Sequence, residues 1–219
     1  MQKELIYFVD PMCFWCWGFS PVILSISQAF AGRMPVRVVL GGLFPGTSRI
    51  MNEQTKHEIR EHWGHVNELS GQPFNYDFFA RTVFTYDTEP ACRAVVTARR
   101  LHSTTTLPML EHLHRSFYTQ NLDITQTETL SEVPAEIGLD PEAFSAAFDS
   151  QDMREEALRD FQFSRGLGVS GFPTLVASAG EASAAVTVGY QPFDKIMPVL
   201  DAWVAGRTRI AIPELEQNA

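Results

Sequence analysis

Apolar positions change their spacing twice along this chain, and the changes divide it into three stretches. Glu4 to Val9 (ELIYFV) carries a continuous apolar run of strand length. From Cys13 to about Phe30 the apolar residues take helical spacing. Pro21 falls inside this helix and is expected to kink it, because it removes one hydrogen bond from the ladder. Gly32 acts as a stop, and Pro35 to Leu40 (PVRVVL) reads as a second strand. Strand, helix and strand in so short a span predict a βαβ unit with parallel strands.

The middle stretch, from Asn52 to about Gly166, carries helix signals and no convincing strand. Ile59, Trp63, Val66 and Leu69 fall at helical spacing. Asp87 or Thr88 can cap a helix with Pro90 in its first turn. Pro108 opens another, with Leu110, Leu113 and Phe117 on one face. Asp140-Pro141-Glu142 combines a cap, a rigid first position and a favourable negative charge. Met153, Ala157 and Phe161 continue the pattern. Strand signals then return at Thr174–Ala177 and Ala185–Val188, divided by a turn at Ala179-Gly180-Glu181. A last helix, about Asp194 to Ala205, carries Ile196, Val199, Leu200 and Trp203, with Pro198 expected near its first turn. The predicted order is βαβ, a long helical insert, then ββα. This is an α/β chain divided into residues 1–49, 50–165 and 166–219, with no internal repeats or low-complexity tracts.

Composition narrows the range of partners. With 219 residues, 45% hydrophobic and 20% charged, the chain can bury a full core without staples. A net charge of −9 and the lack of any basic block disfavour nucleic acid and anionic membrane, whose phosphates would be repelled. The apolar run at Leu5–Val9 is too short for a secretory leader, and nothing approaches the ~20 apolar residues of a membrane span. A cytoplasmic location is the expectation, unless a leader has been removed. In a reducing compartment a close cysteine pair is more often catalytic or metal-binding than structural.

Such a pair occurs in DPMCFWCWGF (residues 10–19). Cys13 and Cys16 are three apart at the start of the first predicted helix, so they share a face and could close a disulfide with modest adjustment. The loop so closed is too small to be a useful staple. It makes a switch instead, because the second thiol is always present to attack a mixed disulfide. Unpaired N–H groups of the first helical turn favour a thiolate at Cys13, the attacking residue. Cys16, one turn deeper, would resolve the mixed disulfide. Two alternatives stand beside this reading. Zinc needs about four ligands, and the only further cysteine is the distant Cys92. Two inert core cysteines are the other.

The combination of this CxxC, a helical insert and GVSGFPTLV (residues 168–176) before a strand resembles the thioredoxin-fold oxidoreductases of the DsbA type, and among them the FrnE-like branch of protein-disulfide isomerases. The resemblance covers nearly the whole chain. It implies a thioredoxin fold with a large all-helical insertion. It also implies a thiol–disulfide oxidoreductase or isomerase acting on protein or small thiol and disulfide substrates. No metal or cofactor is implied, and glutathione enters only as a candidate redox partner. Pro173 is implied to follow a cis peptide bond and to pack beside Cys13, with the Phe172 backbone available to an extended substrate. DsbA itself carries a histidine between its cysteines. Phe14 and Trp15 stand there in this chain, which implies a less acidic Cys13 and a less oxidising pair. Phe14 and Trp15 either offer an apolar surface to unfolded substrates or pack locally.

Other signals are weaker. HEIREH (residues 57–62) nearly spells a zinc-protease motif, but His57 and His62 lie about 140° apart around a helix, and His65 does not repair this. His112 and His114 fall on opposite sides of their helix. Cys92 shares a side with Val95 and Val96 and reads as core. Trp17, Phe19, Trp63 and Trp203 also read as core. Asp10 suits a turn or cap better than a proton relay for Cys16. Gly41-Gly42 belongs to no nucleotide-binding pattern. Two further functions stay open. Kappa-type glutathione transferases and hydroxychromene-carboxylate isomerases are similar in organisation, but use Ser where Cys13 stands and bind glutathione. A non-catalytic, chaperone-like binder is the other.

Overall fold

The computed structural model describes residues 3–180 and 182–207. Strand β1 (Lys3–Val9) leads through a short loop into helix α1 (Phe14–Ala29), and β2 (Val36–Leu40) follows. Six helices come next: α2 (Glu53–Ser70), α3 (Glu89–Leu101), α4 (Thr106–Tyr118), α5 (Thr127–Glu136), α6 (Pro141–Phe148) and α7 (Gln151–Gly166). Strands β3 (Thr174–Ala179) and β4 (Ala182–Val188) and helix α8 (Phe193–Val204) complete the described chain. The sheet order is β2-β1-β3-β4. β1 and β2 are parallel, with Val9 opposite Leu40. β3 is antiparallel to β1, with Thr174 opposite Phe8, and β4 is antiparallel to β3. The expected α/β order is the observed one, although Glu181 of the expected turn lies outside the described residues.

Alternation along β1 builds both sides of the sheet. Leu5, Tyr7 and Val9 join the main core with α1 and the insert, while Ile6 and Phe8 form a smaller cluster with Val39 on the opposite face. Phe163 of α7 covers that second face, its ring centroid 6.1 Å from that of Phe8. The main core continues into an aromatic cluster inside the insert. Trp63 sits 4.9 Å from Phe74 and 4.8 Å from Phe79, and Phe78 sits 5.3 Å from Phe117. Burying rings of this size stabilises the fold by about 1.5–3 kcal/mol each.

Three local expectations differ from the structure. Leu69 is 52% exposed, because the buried row of α2 runs from Trp63 through Val66 to Ser70, and Val66 and Ser70 lie against Gly18 of α1. Pro198 sits in the second turn of α8 rather than the first. It is exposed there, so the carbonyl left without a donor faces water. Val199 is 39% exposed while Ile196 and Leu200 carry the buried side of α8. Helix α1 runs as one helix through Pro21, whose ring is on the exposed side.

The insert is tied to the end of β2 by one buried carboxylate. Asp160 of α7 accepts the Leu40 N–H at 2.9 Å and two bonds from Arg99 of α3, at 2.8 and 3.1 Å. Arg99 also donates to the Val38 carbonyl at 2.9 Å. Removing Asp160 takes two bonds from Arg99 and leaves the Leu40 N–H unpaired, although Glu156 stays on Arg99 at 3.2 Å. Asp160→Ala is therefore expected to lower unfolding free energy by about 3 kcal/mol, read from the denaturant midpoint. Asp160→Leu combined with Arg99→Met should recover most of that loss.

Candidate active site

The loop between β1 and α1 is built on the Asp10 carboxylate, which is fully buried. Oδ1 accepts the Met12 N–H at 2.8 Å, and Oδ2 accepts the Leu43 N–H at 2.7 Å and the Cys92 thiol at 3.5 Å. Burial raises its pKa, opposed by the donors around it. Asp10 thus fixes the turn and binds it to the loop after β2. Cys92 is itself fully buried, and burial pushes its thiol pKa up.

Cys13 occupies the N-cap position of α1, and its carbonyl accepts from Cys16 N and Trp17 N at 2.9 and 3.1 Å. Among the described residues, the N–H groups of Phe14 and Trp15 have no acceptor, so two free donors crown the helix beside the sulfur. The Cys13 thiol is 5% exposed and donates to the Phe172 carbonyl at 3.4 Å. Phe172–Pro173 is a cis peptide bond, and the Phe172 ring lies over Gly41, where a Cβ would come within 1.9 Å of it. Cys13 and Cys16 are both free thiols. Cys16 is fully buried; burial first, then the neighbouring Cys13 and the Asp10 charge, raise its pKa well above that of an ordinary thiol.

Phe14 and Trp15 are half-buried and meet α2. His62 stacks on Phe14 with centroids 5.3 Å apart, and His65 sets its edge to Trp15 at 5.6 Å. Tyr190 approaches Trp15 from the other side at 6.3 Å. His57 pairs instead with Glu61 at 3.5 Å. The histidines of the HEIREH region therefore serve different neighbours. Spacing along α2 placed His62 and His65 on a helix but could not show that this helix packs against the cysteine loop.

Beneath the pair lie polar groups that the sequence pattern did not single out for this site. The Tyr86 hydroxyl donates to the Met12 carbonyl. His114 Nε2 lies 3.5 Å from the Asp10 carbonyl, while its Nδ1 has no partner among the described residues. Tyr7 is fully buried with the two cysteines as its ionisable neighbours. Beside the loop a cavity of about 250 Å³ opens between Phe44, Ile50, Met51, Ile59 and Tyr86. It suits one or two apolar side chains and is smaller than the ~300–1,000 Å³ of small-molecule pockets.

Residues 4–200 match the DSBA-like thioredoxin domain family. The chain belongs to that family. A candidate protein disulfide isomerase from Nitrosomonas europaea shares 33% identity at a TM-score of 0.88, covering 95% of this chain and all of that one. The cytosolic disulfide reductase DsbM of Pseudomonas aeruginosa shares 27% identity at a TM-score of 0.78, covering 92% of this chain and 98% of that one, and a second structure of it contains GSH. Among curated relatives, the ClpXP adapter protein SpxH is 20% identical over 90% of this chain in Halalkalibacterium halodurans, and 23% identical over 78% of it in Bacillus subtilis. The chain spans only 66% and 57% of the lengths of those two relatives. The family accounts for the fold. No helix among the described residues is long and apolar enough to cross a membrane.

The buried imidazole supplies a stability signature. Desolvation lowers the His114 pKa from 6.5 to about 4. The unfolded chain therefore takes the proton first as pH falls, and stability drops between those two values. The loss expected is about 3 kcal/mol in urea melts. The raised Asp10 value acts in the opposite sense, so the difference between wild type and His114→Gln isolates the histidine.

Proposed function

We propose that the chain is a thiol–disulfide oxidoreductase in which Cys13 attacks and Cys16 resolves. The observation that carries this reading is the Cys13 thiol at the α1 N-terminus, 3.4 Å from the Phe172 carbonyl, with Cys16 buried one turn deeper. The Cys13 thiolate attacks one sulfur of a substrate disulfide, and the other sulfur leaves as a thiolate and takes up a proton. Cys16, once deprotonated, attacks the Cys13 sulfur. The substrate's second sulfur leaves, and the substrate is reduced by two electrons as the Cys13–Cys16 disulfide forms. Run backwards, the same steps oxidise a dithiol.

Phe172 takes a second part in this reading. Its carbonyl is engaged by the Cys13 S–H in the reduced protein. That proton is gone in the mixed disulfide, which frees the carbonyl for a substrate N–H just where an extended segment would lie. Pro173 offers no competing donor. Phe14, Trp15 and Phe172 present the apolar contact surface. Support for the reducing direction, a cytosolic setting and glutathione as recycling thiol comes from DsbM, named a cytosolic disulfide reductase and also solved with GSH.

A polypeptide-binding role is the second reading. It is favoured by the adapter names of the curated relatives and by the exposed apolar residues Phe44 and Ile50 near the cysteine loop. Glutathione-dependent transferase or isomerase chemistry is a third, and it predicts activity that survives Cys16→Ala.

Cys13→Ser is expected to abolish disulfide reduction, whereas Cys16→Ser should retain attack and accumulate a mixed disulfide detectable by mass spectrometry. Polypeptide binding left intact by Cys13→Ser, with no disulfide turnover in the wild type, would establish the adapter reading instead. With no charged residue between the cysteines, the pair's potential should lie well below the roughly −120 mV of DsbA, measured by equilibration with glutathione and thiol alkylation.

A further inference from the structure

Tyr7 lies in the middle of β1, opposite Val38 in β2 and Leu175 in β3, and its side chain is fully buried. Its hydroxyl has no hydrogen-bond partner among the described residues. A buried hydroxyl left in that condition destabilises the fold, and such groups call for an explanation. The ionisable groups around it are Cys16 first and then Cys13. A thiol sulfur is a weak acceptor, whereas a thiolate is a strong one. The missing partner therefore arrives only when Cys16 loses its proton.

We propose that Tyr7 is a positioning residue for resolution: its O–H donates to the Cys16 sulfur as that sulfur becomes the thiolate that attacks the mixed disulfide. The inference rests on the resolving role of Cys16 proposed above. Cys16 gives its proton to a solvent base. The thiolate attacks the Cys13 sulfur, the Cys13–Cys16 bond forms, and the substrate sulfur leaves with the electron pair and is protonated. Tyr7 stays neutral throughout; its proton is shared and never transferred. A donor that is unsatisfied in the resting state and satisfied in the reacting state lowers the barrier rather than merely binding.

The other groups around Cys16 do not fill this place. Cys13 and the Asp10 charge oppose its ionisation, while the Asp10 backbone favours it and leaves room for a second donor. Both Asp10 oxygens are engaged by Met12, Leu43 and Cys92. From α4, His114 sits on the Asp10 carbonyl. The Tyr118 hydroxyl also lacks a partner among the described residues, but its hydrogen-bonding neighbour is Tyr86, and Cys16 acts on it only through charge.

Tyr7→Phe removes only the hydroxyl and keeps the ring. The test follows the full chain reacting with excess symmetrical nitrobenzoate disulfide, which releases one coloured thiolate on attack by Cys13 and a second on resolution by Cys16. The variant should leave the first phase unchanged and slow the second about tenfold. The pH midpoint of the second phase should rise by about one unit. The melting temperature should not fall, because the variant also removes an unpaired buried group. A second phase as fast as wild type, equal slowing of both phases, or slowing with no shift of the midpoint would each overturn the inference. A wild-type trace without a second phase would remove the resolving role of Cys16 and this inference with it. Two phases in the wild type and an unaltered variant would remove the inference alone.

Discussion

Strand β3 pairs antiparallel with β1 so that Thr174 lies opposite Phe8. In an antiparallel pair the end of one strand lies beside the beginning of the other. The segment entering β3 therefore meets the segment leaving β1, and Pro173 and Cys13 become neighbours although the whole insert separates them in sequence. A one-residue slip would turn Tyr7 away from the main core and move Phe172 from the sulfur. The buried faces forbid such a slip, since Leu5, Tyr7 and Val9 would exchange places with Ile6 and Phe8. The register that builds the core is the one that builds the site.

Burial then separates the two sulfurs. Cys13 keeps a small exposed edge and stands beside two free helix N–H groups, whereas Cys16 is sealed among Tyr7, Asp10 and the ring cluster. One sulfur has an edge at the surface and the other has none. The same dryness that raises the Cys16 pKa holds the Asp10 carboxylate in a single arrangement, because each of its bonds is stronger away from water. Asp10 spends its acceptors on loop geometry, and the precision of the Cys13 position depends on that use.

The strands and the cysteine loop were legible because they are written locally: apolar runs of strand length, a CxxC at a helix start, and Gly-Phe-Pro-Thr before a strand. The helices of the insert were legible from caps and spacing, as at Asp140-Pro141, where the Asp140 side chain accepts the Glu142 N–H at 3.0 Å. Contacts between elements remote in sequence were not legible from spacing, and the meeting of Cys13 with the Phe172–Pro173 segment was available only through the family resemblance. Asp160 resembles any other acid in a charged helix, and only the packing of α7 on β2 brings it to Leu40. Tyr7 reads as one more strand residue until the sulfur above it is seen. Leu69 fits the helical period, yet the row in contact with α1 passes through Ser70 instead.

The helical insert explains how one architecture can be shared by proteins named for different roles. Disulfide chemistry needs the end of β1, the start of α1 and the entry to β3, all inside the βαβ and ββα parts. What approaches those cysteines is decided elsewhere: α2 brings His62 and His65 against Phe14 and Trp15, and Ile59 and Tyr86 wall the neighbouring cavity. A substitution at Ile59 can change the cavity wall without contacting the cysteine loop, whereas Tyr86 is tied to that loop through the Met12 carbonyl. The cysteine site and the surface beside it are therefore separable parts of this fold. The proposed thiol chemistry rests on the first part, where the two cysteines differ in burial, and any choice of partner rests on the second.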